Sequence, residues 1–78
     1  MKKERKTELP EVVKELGIKI KEEINSNKLK PREVANDAEM DVENLRKYIK
    51  GSQEMRIGTL FKIAKALKIH PSELIKDL

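Results

Sequence analysis

Residues 31–51 read PREVANDAEMDVENLRKYIKG, and this stretch decides the fold. Pro31 marks a helix start, because its missing N–H is not needed in a first turn. Val34, Ala35 and Ala38 make a short apolar edge, so this helix is expected to end near Glu39. Its small alanines let another helix approach closely. Asp41 suits the N-cap of a following helix, since its carboxylate accepts from the first-turn N–H groups. Leu45, Tyr48 and Ile49 then fall at i, i+3 and i+4 and face inward. Gly51 suits the left-handed position that ends a helix. Between Val42 and Lys50 the outer face is polar: Glu43, Asn44, Arg46, Lys47 and Lys50. Two short helices about three residues apart, the second capped by Asp and polar on one side, have the pattern of a helix-turn-helix.

The flanks extend this into an all-α chain. Upstream, Val13, Leu16, Ile20 and Ile24 repeat at three- and four-residue spacing, one stripe of a first helix. Lys14, Lys19, Lys21, Glu22 and Glu23 occupy its other faces, and Asn25-Ser26-Asn27 brings it to an end near Asn27 or Lys28. Downstream, residues 52–56, SQEMR, form a connecting loop, in which Met55, like Met40, fills a gap at a helix end. Ile57, Leu60, Phe61, Ile63, Ala64 and Leu67 give the broadest apolar face, which makes the fourth helix the central one. Pro71-Ser72-Glu73-Leu74-Ile75 starts a short fifth. With one Phe, one Tyr and few β-branched runs, strands are not expected. The reading is five helices with short links: residues 1–10 a flexible basic N-terminal arm, residues 11–78 the folded domain.

Seventy-eight residues hold one domain. There is no Cys, hence no disulfide, thiolate nucleophile or Cys-based zinc site. No apolar run approaches the roughly 20 residues needed to span a bilayer, and the charged N-terminus lacks the apolar stretch of a signal peptide, so a cytoplasmic location is expected. The net charge of +4 favours an anionic partner. Lys2, Lys3, Arg5 and Lys6 against Glu4 place +3 of it in the first six residues, leaving +1 for the rest. Catalysis finds no constellation. His70, the one histidine, precedes Pro71 at a helix start and suits a capping or surface role. The serines lack a local base, the acidic residues show no metal-ligand pattern, and no Gly-rich phosphate loop exists. No enzyme activity, metal or cofactor is implied.

From Leu16 to Leu74 the chain resembles the lambda repressor–Cro family, also called the XRE family. The resemblance is carried by Leu16-Gly17 and Ile20, by Glu33-Val34-Ala35, by Leu45 and Lys50-Gly51, and most specifically by Thr59-Leu60-Phe61-Lys62-Ile63-Ala64-Lys65-Ala66-Leu67 followed by Pro71-Ser72-Glu73-Leu74. It covers roughly three quarters of the chain without a gap. It implies a lambda-repressor-like bundle that binds double-stranded DNA to regulate transcription, with helices two and three as the helix-turn-helix. In such a motif the second helix enters the major groove, where its side chains reach base edges. The first lies across the backbone with its amides near a phosphate.

The resemblance assigns base contacts to Val42, Glu43, Asn44, Arg46 and Lys47, and phosphate contacts to Lys30, Arg32, Lys50, Ser52, Gln53 and Arg56. Lys47 suits guanine O6 and N7, Val42 a thymine methyl, and Glu43 cytosine N4–H₂. Three departures from the family pattern stand out. Lys30-Pro31 replaces the usual Ser or Thr cap and phosphate-contacting Gln. Ile24 and Ile49 replace a buried Arg–Glu pair, a double change that makes sense when the two positions touch. Glu43 places an anion, which repels phosphates, at an early base-facing position. A homodimer on a two-fold-related site is expected, with Leu74, Ile75 and Leu78 at its interface. The competing reading is an antitoxin-like or protein-interaction module on the same fold, binding a toxin or other protein; a membrane-surface role is disfavoured by Glu15, Glu22 and Glu23.

Overall fold

In the computed structural model, which describes residues 9–78, the chain forms α1 (Glu11–Ser26), α2 (Pro31–Asp37), α3 (Val42–Lys50), α4 (Ile57–Leu67) and α5 (Ser72–Ile75). There is no strand among the described residues. The expected basic arm lies, over residues 1–8, outside the described residues; Leu9 and Pro10 precede α1 without regular structure.

Each helix begins and ends for a local reason. Pro31 opens α2, and the Glu33 carboxylate accepts from the Lys30 backbone N–H at 2.8 Å. Asp41 opens α3, its carboxylate accepting from the Glu43 N–H at 2.9 Å. His70 serves α5: its Nδ1 accepts from the Ser72 N–H at 3.1 Å and lies 2.9 Å from the Ser72 hydroxyl.

The first four helices close with one motif. After α3, Gly51 takes φ 75°, and the Gly51 and Ser52 N–H groups donate to the Tyr48 and Lys47 carbonyls at 3.0 and 3.1 Å. This paired return satisfies carbonyls the helix would otherwise leave orphaned. Lys28, Glu39 and Lys68 hold the same left-handed position after α1, α2 and α4, with φ of 56°, 57° and 62°. In each case the next residue, Leu29, Met40 or Ile69, donates back into the helix at 2.9 to 3.0 Å and packs against the core. The turn at Glu39 ends α2 at Asp37, two residues before the position expected from its apolar edge.

α1 packs on α3 and α5, and α2 on α3 and α4. Between them lie Ile20, Ile24, Val34, Ala35, Ala38, Leu45, Tyr48, Leu60, Ile63, Ala64, Leu67 and Leu74, with no polar or charged residue buried among the described residues. The closest approach is at Gly17. A Cβ there would collide with the Ile49 carbonyl oxygen and stand 2.5 Å from that of Tyr48. Glycine therefore lets α1 rest directly on the backbone of α3. Gly51 is constrained from the opposite side, where a Cβ would come within 2.8 Å of the Lys14 Cα.

One expectation about the core is corrected. The apolar pattern groups Ile57 and Phe61 with the inward face of α4, yet they are 69% and 55% exposed. Leu60, Ile63, Ala64 and Leu67, at three- and four-residue spacing, fill the inward face by themselves. Phe61 follows Leu60 by about 100° around the helix, and Ile57 lies in the first turn, ahead of the buried stretch. No helix of the described residues is long and apolar enough to cross a membrane.

Candidate nucleic-acid interface

α3 is fixed along its inner side and open along its outer side. Leu45 is fully buried and Tyr48 nearly so, while Glu43, Asn44, Arg46, Lys47 and Lys50 are exposed. The Asp41 cap fixes where the helix starts, Gly51 fixes where it stops, and Gly17 sets its distance from α1. Its outer face is thus presented by backbone contacts as well as by side-chain packing, which fixes the helix against rotation and sliding.

The exposed side chains of α3 are not equivalent. Arg46 Nη1 lies 2.9 Å from Glu43 Oε2, an i,i+3 ion pair on the surface. The pair brings the one anion of this face against an arginine of the same helix and offsets its repulsion of phosphates. Lys47 and Lys50 have no ion-pair partner among the described residues. Val42 is half-buried and packs against the core, so it offers less surface to a base than the sequence suggested.

A shallow depression joins three helices beside this face. It is lined by Lys21, Ile24 and Asn25 of α1, Pro31 of α2, and Arg46, Ile49 and Lys50 of α3. Ile24 and Ile49 thus share one site, as their paired replacement implied. The same geometry brings Lys21, expected only on an outer face of α1, to the depression that Arg46 and Lys50 line. A signal for it existed. Lys21 stands three residues before Ile24 as Arg46 stands three before Ile49, so two residues in register carry their neighbours together. Lys30 and Arg32 flank Pro31 and are both exposed.

The residues after α3 divide. Ser52 Oγ donates to the Lys47 carbonyl at 3.2 Å, so its hydroxyl proton is engaged in closing the helix. Gln53 lines a separate apolar groove with Val12, Val13, Leu16, Met55 and Leu78, away from the Lys21–Arg46–Lys50 group. Arg56 is exposed at the start of α4. The C-terminal trio also divides. Leu74 is fully buried in the chain's own core, which removes it from any subunit interface; Ile75 and Leu78 are 44% and 38% exposed. Among the described residues no three His, Cys, Asp or Glu side chains gather as a metal site would require.

The comparisons with known proteins bear on the fold and the family. The chain is similar to the restriction-modification controller protein C.AhdI from Aeromonas hydrophila, with a TM-score of 0.79 and 23% identity over 83% of this chain and 97% of that one. At that identity the likeness establishes the five-helix fold. No curated protein matches the chain. The family model for the Cro/C1-type HTH DNA-binding domain matches residues 19–77, which span α2, α3, α4 and α5 and most of α1. The chain therefore belongs to the Cro/C1-type helix-turn-helix family and is a DNA-binding regulator of that type.

Proposed function

We propose that the protein is a cytoplasmic regulator that binds a two-fold-related DNA site as a homodimer, with α3 of each subunit in successive major grooves. The observation that carries this reading is the outer face of α3, anchored at both ends and flanked by cations from three helices. Lys47 donates to guanine O6 and N7, Asn44 reads the neighbouring base edge, and Glu43, steadied by Arg46, accepts from cytosine N4–H₂. Val42 adds a partial apolar contact to a thymine methyl. Lys30, Arg32, Lys50 and Arg56 hold phosphates, with Ser52 and Gln53 as weaker neighbours; such contacts orient the protein without reading sequence. The similar solved structure is of a restriction-modification controller protein, which fits a role in switching a small set of genes.

Selection of bound duplexes from a random library tests the reading. A palindromic motif with half-sites about one helical turn apart is the expected result. Absence of any enriched motif removes sequence-specific regulation and transfers the function to a partner protein held on the same fold.

A further inference from the structure

The start of α2 is poorly equipped to hold a phosphate through its backbone. Pro31, its first residue, has no N–H to give, and the Lys30 N–H already donates to the Glu33 carboxylate at 2.8 Å. That carboxylate adds a negative charge where a strand of DNA would pass. A helix-turn-helix nevertheless lays its first helix across the DNA backbone, so the charge that balances a phosphate here has to come from side chains. The depression beside Pro31 gathers such side chains from the two neighbouring helices. Lys21 of α1 joins Arg46 and Lys50 of α3 there, above Ile24 and Ile49, and no carboxylate lines it. Arg46 is engaged by Glu43 at 2.9 Å, whereas exposed Lys21 has no ion-pair partner among the described residues. Placement sets it apart from its neighbour Lys19, which is two residues or about 200° away around α1 and lies 3.2 Å from the Asp77 carboxylate, beyond α5.

We propose that Lys21 is a DNA-anchoring residue on α1, outside the helix-turn-helix, whose ammonium holds the phosphate that passes Pro31. Charge complementarity selects this occupant. Ile24 and Ile49 form a floor without a counter-ion, so Lys21 and Lys50 stand over it as cations that the chain itself leaves unbalanced. A phosphodiester seated between them also continues the track set by Lys30 and Arg32 on the other side of Pro31. The anchoring charge thereby moves from the α2 backbone, which Pro31 and Glu33 have closed, to a side chain of α1. A lysine ammonium is a compact point charge without the planar fork of an arginine. Lys21 therefore adds affinity and fixes how the domain sits on the duplex, while base preference stays with α3.

This contact rests on the DNA binding of the proposed function but not on its base reading. Affinity for a duplex carrying the selected motif and for one of random sequence is measured over a salt series. The full chain is compared with Lys21→Gln, Lys21→Arg and Lys19→Gln. For Lys21→Gln the slope of log affinity against log salt is expected to be shallower than that of the wild type by about 0.9 per subunit bound. A fourfold rise in salt then costs the variant about 3.5-fold less affinity per subunit than it costs the wild type. The loss at low salt is expected to be the same factor on both duplexes, with the thermal midpoint unchanged. Lys21→Arg restores the slope, and Lys19→Gln keeps that of the wild type. A wild-type slope in Lys21→Gln overturns the proposal. So does an equal flattening by Lys19→Gln, which would mark an effect of total charge, and so does a loss confined to one duplex. A wild type that selects no motif, yet binds with a slope that Lys21→Gln flattens, removes the base reading and leaves the anchor standing. A wild type that binds neither duplex overturns both.

Discussion

At the scale of single residues, Gly17 fixes the position of the recognition helix. A methyl group there meets carbonyl oxygens of α3 rather than a flexible side chain, so the backbones must separate. Gly17→Ala should therefore destabilise the fold by about 1–3 kcal/mol, the usual range for overpacking, with a thermal midpoint lower by roughly 4–8 °C per kcal/mol for a domain of this size. A midpoint unchanged on thermal unfolding would contradict the contact. Ile24 supplies a second test. Ile24→Arg places a cation in a 2% exposed position, beside Lys21, Arg46 and Lys50, and should cost about 3 kcal/mol or more. Adding Ile49→Glu should recover much of that loss, because it restores the paired alternative; equal loss in single and double variants, by chemical denaturation, argues against a shared site. The Ile24–Ile49 relation was legible in the sequence because both partners changed together. Gly17 was visible only as part of a pattern, since its reason is a distance between helices more than thirty residues apart.

At the scale of the elements, the starts of α2 and α3 were legible and several ends were not. Pro31 and Asp41 announce themselves through a missing donor and a short carboxylate. Gly51 likewise announces its left-handed turn, whereas Lys28, Glu39 and Lys68 adopt the same conformation without glycine. Left-handed backbone costs a side-chain-bearing residue roughly 1–2 kcal/mol, offset here by the returning hydrogen bonds and by Leu29, Met40 and Ile69 packing beneath. Lys68→Gly should accordingly raise stability by about 0.5–1 kcal/mol, after allowing for the greater freedom of glycine in the unfolded chain. Urea denaturation reads this directly, and a lower midpoint for Lys68→Gly would show that its side chain does more than cover the turn. The misplacement of Ile57 and Phe61 belongs to this scale too. Apolar character assigned them inward, but an eleven-residue helix has one inward face, and Leu60, Ile63, Ala64 and Leu67 already fill it.

At the scale of the whole molecule, charge is informative through its placement rather than its total. Outside the first six residues the net charge is only +1, yet Lys21 of α1, Lys30 and Arg32 at the start of α2, and Arg46, Lys47 and Lys50 of α3 are carried where these three helices meet. The polar face of α3 was readable because Leu45 and Tyr48 fix what must be inside. The part played by Lys21 was not, because it depends on how α1 crosses α3. With Lys30, Arg32, Lys50 and Arg56 on phosphates, the logarithm of affinity should fall with the logarithm of salt at a slope of about −3.6 per subunit, or about −7 per dimer. A slope near zero in a titration of bound duplex would remove those contacts. The most direct test of the central claim, that the outer face of α3 reads base sequence, is to compare the DNA motifs selected by the wild type and by Lys47→Ala. The account predicts that Lys47→Ala retains the motif and half-site spacing but loses preference at one base pair in each half-site, a discrimination worth about 1–3 kcal/mol. A motif identical to that of the wild type at every position would contradict it.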